Sequence, residues 1–120
     1  MNCIRGIRGA ISVSKNTKGE IISSTKMLLV KMTGLNKIKV GDIASIIFSA
    51  TRDLDAEFPA IAARELGWKN VPLLCTYEVD VPGALPRCIR VLMHVNSKKS
   101  QSAIKHVYLN DAKKLRPDLG

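Results

Sequence analysis

Aromatic side chains are scarce in this chain, with one Trp, two Tyr and two Phe in 120 residues. That is little material for a platform that stacks unpaired bases. Acidic residues are also few, 10 against 19 Lys and Arg, leaving a formal charge of +9. The basic residues are scattered, only Lys98-Lys99 and Lys113-Lys114 being adjacent, so no arm or helix carries a nucleic-acid footprint. The surplus charge attracts anions from a distance without choosing among nucleic acid, a small polycarboxylate and mere solubility. Cysteines number three, at 3, 75 and 88; an odd count without Cys-x-x-Cys spacing, beside only His94 and His106, composes neither a disulfide framework nor a zinc site. Reduced, mostly buried thiols are expected. No apolar run approaches the eighteen or so residues of a membrane span, and Met1-Asn2-Cys3-Ile4-Arg5 does not resemble a secretory signal. The expected setting is the cytoplasm, away from membranes.

What the chain does have is enough apolar residue, 46%, for one core and one domain over 1–120. Cys3 to Val13 alternates as a strand, with Arg8 on the same face as Gly6 and Ala10. Glycine inside a strand marks either a bend or a close approach by ligand or backbone. Thr17 and Glu20 have capping-box spacing at a helix start, followed by an apolar stripe of Ile21, Ile22, Thr25, Leu28, Leu29 and Met32, with Gly34 as the stop. A right-handed crossover then returns the chain to a strand parallel to the first. Val40 to Ile43 reads as a helical turn and Ser45 to Ala50 as a largely buried strand. After the polar loop Thr51 to Glu57, Pro59 opens a helix over Ala60 to Leu66 that Gly67 closes. Ala103 to Leu109 reads as a last strand, with His106 structural, and residues 111–120 as an aperiodic tail that packs over an edge or folds on binding. The fold class is α+β, one domain with a mixed sheet and two main helices on one face.

The stretch Val71 to Arg90 carries unusual cargo. It reads as a hairpin of two apolar strands joined by Pro82-Gly83, with Cys75, Glu78 and Arg90 where apolar residues would serve a core better. Burying either ion unpaired costs several kcal/mol, roughly 3–5 where the partner is removed. An ion pair between the strands and a site for a charged ligand stand at even weight on these residues alone.

Taken together, Ile4-Arg5-Gly6-Ile7-Arg8-Gly9-Ala10, Phe58-Pro59-Ala60, Arg64-Glu65-Leu66, Val71-Pro72 with Cys75 and Glu78, Cys88-Ile89-Arg90-Val91, His106-Val107-Tyr108-Leu109 and Leu115-Arg116-Pro117-Asp118-Leu119 resemble one family. It is the monofunctional chorismate mutases of the trimeric pseudo-barrel type, and the similarity runs end to end at near-constant spacing. The resemblance implies rearrangement of chorismate to prephenate, without cofactor or metal, by a homotrimer with active sites between subunits. It places Arg90 on the ether oxygen, Glu78 and Cys75 on the hydroxyl and the allylic ring, Arg8 and Tyr108 on a carboxylate, and Phe58 as a wall. It further implies substrate-strand contacts from Leu74, Thr76 and Tyr77, and Arg64 and Arg116 as outer cations. Ile61 and Leu74 depart from the family pattern, which often has lysine at the first and a small polar residue at the second, and the helix ending at Gly67 is one residue short.

One geometric point is open. Cys75 and Glu78 are an odd number of residues apart and face opposite sides of a regular strand. They meet one pocket if Glu78 lies past the strand's regular part or a bulge intervenes, and otherwise serve different clefts of the trimer; the first two are preferred. A small basic RNA-binding domain and a trimeric imine-deaminase-like enzyme are the alternative readings.

Overall fold

The computed structural model describes residues 2–115. The tail residue Arg116 lies outside them. The alternation from Cys3 becomes strand β1, Cys3–Ser12, with Ile7, Gly9 and Ile11 turned to the core and Gly6, Arg8 and Ala10 to the opposite face. A Cβ on Gly9 would press on Met32 Sδ and lie 3.1 Å from Leu28 Cδ1. The close approach this glycine permits is therefore by a helix.

That helix is α1, Lys18–Asn36. Thr17, extended at the N-cap, accepts the Glu20 N–H at 3.2 Å, satisfying one of the donors that open a helix. Every residue of the apolar stripe is buried, and Asn36 extends it. Gly34 is not the stop. The helix runs two residues further and closes on Lys37, left-handed at φ 53, with the Ile38 N–H reaching the Thr33 carbonyl at 2.9 Å. The buried Asn36 amide holds this last turn.

A 3₁₀ turn at Val40–Asp42 leads to β2, Ile43–Ala50; α2 spans Ala60–Glu65, β3 Leu73–Tyr77, β4 Cys88–Ser97 and β5 Val107–Leu109. The five strands form one mixed sheet in the order β3-β2-β4-β1-β5. β4 pairs antiparallel with both β1 and β2, so β2 does run parallel to β1, with β4 inserted between them. β3 pairs parallel with β2 and β5 parallel with β1.

Two expectations need correction. β3 and β4 are not a hairpin, because β2 lies between them and residues 78–87 must cross its width. Within that connection Gly83, at φ 83, makes a local turn closed by the Ala84 N–H on the Val81 carbonyl at 3.0 Å. The last strand is also shorter than its apolar pattern, since Gln101–Ala103 is a 3₁₀ turn and pairing starts only at Val107.

The main core lies between one sheet face and the two helices, built on Phe48, Ile7, Ile11, Leu28, Leu29, Met32, Ile46, Ile89 and Met93. On the other face a smaller cluster joins Ala10, Cys88, Tyr108 and Ala112, with Leu85 and Leu115 against it. Ala112 belongs to a 3₁₀ segment, Asn110–Leu115, that covers one end of this face. The rest is open and partly apolar: Ile4 is 63% and Leu74 61% exposed. Among the described residues no helix is long and apolar enough to cross a membrane.

Candidate active site

Sheet register assembles the first group of polar side chains. Thr76 pairs with Ser49, Ser49 with Arg90, Arg90 with Ala10 and Ala10 with Tyr108, so these five residues form a row across β3, β2, β4, β1 and β5. Paired residues share a face, and this is the face away from the helices. Strands are about 4.8 Å apart, which puts the Arg90 and Tyr108 backbones about 10 Å from each other. The small Ala10 makes the floor between them.

Glu78 joins the row at its β3 end. It stands one residue past the strand, where its N–H extends the ladder to the Ala50 carbonyl at 2.9 Å. Its carboxylate accepts from Ser49 Oγ, and its second oxygen lies 3.8 Å from Arg90 Nε. Their side chains are 25% and 31% exposed. At 3.8 Å the ions attract without sharing a hydrogen bond. Arg90 Nε and Tyr108 OH are in fact the two buried side-chain polar atoms, among the described residues, that lack a hydrogen-bond partner. An unsatisfied buried donor costs about 1–3 kcal/mol, so these two on one row are donors available to a further partner. Burial pushes the Cys88 thiol up from its ordinary value, opposed by the adjacent Arg90 guanidinium. Arg8 is exposed on this same face of β1, one alternation step from Ala10.

The second group gathers around a cleft on the helix side of the sheet, where Cys75 and Tyr77 are turned, and Thr76, whose side chain belongs to the row, borders it as well. Phe58, Pro59, Cys75, Thr76 and Tyr77, with Ala50, Leu54 and residues 55–57, line a cleft of about 310 Å³ at the β3 edge. Phe58 is 66% exposed. Cys75 shares the core-facing side of the sheet with its partner Phe48. Burial raises its pKa, against the opposing pull of a hydrogen bond from the Ala60 backbone and of the Arg64 charge. The thiol is thus neutral near pH 7 and can donate an S–H. Arg64 is exposed on α2, and Tyr77 is engaged from outside by Arg52, whose Cζ lies 5.1 Å from the ring centroid. Leu74 points to the open face instead.

Within one chain the structure therefore separates the residues expected to act together. Arg8, Glu78, Arg90 and Tyr108 share the open face, while Phe58, Cys75 and Tyr77 line the cleft on the other side. Glu78 does lie past the end of β3, with no bulge before it, yet that does not bring Cys75 round to it, because the strand keeps its alternation up to Tyr77.

Two contributors were not anticipated. Ser49 holds Glu78, and the polar alternation of Ser45 and Ser49 along an apolar strand was the signal for it. Asn16 clamps the lip of the cleft, donating to Asp55 Oδ1 at 2.7 Å and accepting the Asp55 and Ala56 N–H groups at 3.1 Å; nothing local in the sequence points from Asn16 to residues 39 and 40 positions away. Among the described residues no three His, Cys, Asp or Glu side chains converge as metal ligands.

Comparison with known proteins identifies the family. The chorismate mutase type I family matches residues 4–119. Chorismate mutase AroH from Bacillus subtilis (strain 168) is 50% identical over 117 residues, covering 97% of this chain and 92% of the relative. Its counterpart from Thermus thermophilus is 50% identical over 117 residues, 97% and 96%. The solved structure of a chorismate mutase from Clostridium thermocellum superposes with a TM-score of 0.90 at 56% identity, over 91% of this chain and 97% of that one. The chain belongs to the chorismate mutase type I family.

Proposed function

We propose that the protein isomerises chorismate to prephenate in clefts shared by neighbouring subunits of a homotrimer. The reaction belongs to aromatic amino-acid biosynthesis. The observation that carries the reading is the pair of buried, unpartnered donors, Arg90 Nε and Tyr108 OH, on one row with Glu78.

A pericyclic rearrangement requires no nucleophile and no proton transfer, so catalysis consists of holding the reactive conformer and stabilising charge as the C–O bond breaks. Chorismate is a dianion whose ether oxygen gains negative charge in the transition state. Arg90 donates to that oxygen from a partly desolvated position, an interaction stronger in the transition state than in the ground state. Tyr108 and Arg8 grip a carboxylate. Glu78, oriented by Ser49, takes the ring hydroxyl; the substrate lies between the two ions instead of their neutralising one another.

The Phe58–Cys75 cleft comes from the adjacent subunit. The open sheet face, with Ile4, Leu74 and Leu92 uncovered, supports burial against other copies, and a shared site resolves why Cys75 and Glu78 face apart. Phe58 then walls the substrate, Cys75 offers a neutral S–H to the hydroxyl side, Leu74, Thr76 and Tyr77 contribute the strand edge, and Arg64 and Arg116 act as peripheral cations. Loss of chorismate absorbance with purified protein tests the activity, and a rate equal to that in buffer would refute it. Sedimentation equilibrium tests the assembly: three times the 13.1 kDa chain mass is expected, and a monomer that is fully active would refute the shared cleft.

A further inference from the structure

Strand β5 is three residues long, lies at the sheet edge and, among the described residues, pairs only with β1. So short a ladder is a weak hold, yet it carries Tyr108. Two side chains extend it backwards. The carboxamide of Asn36, fully buried at the end of α1, donates to the Lys105 carbonyl and accepts the Lys105 N–H, both at 2.8 Å. It engages that peptide as a neighbouring strand would. Its Nδ2 also donates to the Met32 carbonyl at 2.8 Å, which fixes the amide to the helix.

One residue further on, the Arg8 backbone N–H donates to His106 Nδ1 at 3.0 Å. A backbone N–H can only donate, so Nδ1 carries the lone pair, and in the neutral ring the proton is on Nε2. Gly9 pairs with Val107 and Ala10 with Tyr108, so this bond continues the β1–β5 ladder by one step through a side chain. It ties the backbone of Arg8 to the segment that delivers Tyr108.

We propose that Asn36 and His106 are positioning residues that hold Tyr108, and through the His106 bond keep it in register with Arg8, for the substrate carboxylate. The inference rests on the reading above that these two residues grip that group. Neither Asn36 nor His106 need touch the substrate. The expected signature is weakened substrate binding with the chemical step preserved, because the Arg90 end of the row is held separately by β2 and β4.

Steady-state kinetics on His106 variants test this, since removing the fully buried Asn36 would endanger folding itself. H106L, which lacks an acceptor, is expected to raise KM about tenfold with kcat little changed, the scale of one hydrogen bond to a charged group. H106N places its amide oxygen where the imidazole has Nδ1 and should restore most of the KM; H106Q, with the oxygen one bond further out, should not. Y108F serves as the reference, and in the H106L background it should add little, because one interaction cannot be lost twice. A raised KM in Y108F with an unchanged KM in folded, trimeric H106L would sink the positioning role and leave the carboxylate reading standing. H106N no better than H106L would also overturn it. An unchanged KM in Y108F would remove the carboxylate reading of Tyr108 and this inference with it.

Discussion

Arg90→Ala separates the two uses of a charge in an apolar strand. If Arg90 serves only to neutralise Glu78, its removal is a stability event. The two side chains are 31% and 25% exposed and 3.8 Å apart without a hydrogen bond. Stranding Glu78 should then cost about 1–2 kcal/mol, less than the 3–5 of a fully buried pair, since solvent screens it and Ser49 still holds it. If Arg90 donates to the developing charge on the ether oxygen, the larger loss is in rate: kcat falls on the order of 100- to 1,000-fold, about 2.7–4 kcal/mol. Lysine at the same position keeps the charge and loses the Nε–H and the planar fork, so Arg90→Lys should recover only a minor part. The assay is chorismate consumption at saturating substrate, alongside urea denaturation of the same preparations. A kcat within about threefold of the unsubstituted enzyme, in folded protein, would refute the electrostatic role.

Three further outcomes concern the scaffold. Burial holds the pKa of both Cys75 and Cys88 above the ordinary 9.0; the unfolded chain releases those protons first, so stability is fully present below about pH 9 and falls as pH rises beyond it. Cys88→Ala should flatten that alkaline decline in urea midpoints measured between pH 8 and 10, and an unchanged slope would argue that other groups cause it. Gly9→Ala should destabilise by about 1–3 kcal/mol through overpacking against Met32 and Leu28, read as a lower urea midpoint with an unchanged m-value; a neutral result would mean that the Met32 side chain moves aside freely. Thr17→Ala removes the hydroxyl that accepts the Glu20 N–H and should cost about 1 kcal/mol in thermal denaturation, with kcat and KM unaffected.

Local chemistry in the sequence foretold local structure well. The alternation around Arg8, the Thr17 cap and the α1 stripe each depend on neighbours within a turn or two, and each appears in the structure. The misplaced features depend on distant partners. Pro82-Gly83 looks like a hairpin turn because its own dihedral preferences are those of one, while the placing of β2 between β3 and β4 is decided by pairings from Ile43 onward. Gly34 looks like a stop because nothing nearby reveals that Asn36 has a partner at Lys105. The candidate site divides the same way: parity along β3 exposed the conflict between Cys75 and Glu78, but only the sheet register showed that Arg90, Ala10 and Tyr108 make one row. The resemblance to a family named the residues; the row explains why they are on those strands.

The opposed directions of Cys75 and Glu78 have a statistical consequence. If the clefts are shared in a trimer as proposed, a chain with Arg90→Ala still owns a sound Phe58 side, and a chain with Phe58→Asp, whose carboxylate repels a dianion, still owns a sound Arg90 side. Each variant alone should be severely impaired. Unfolded together in equal amounts and reassembled at random, they should yield about one cleft in four built from two undamaged halves. Two crippled proteins would then recover about a quarter of the parental activity on mixing, with no repaired gene among them.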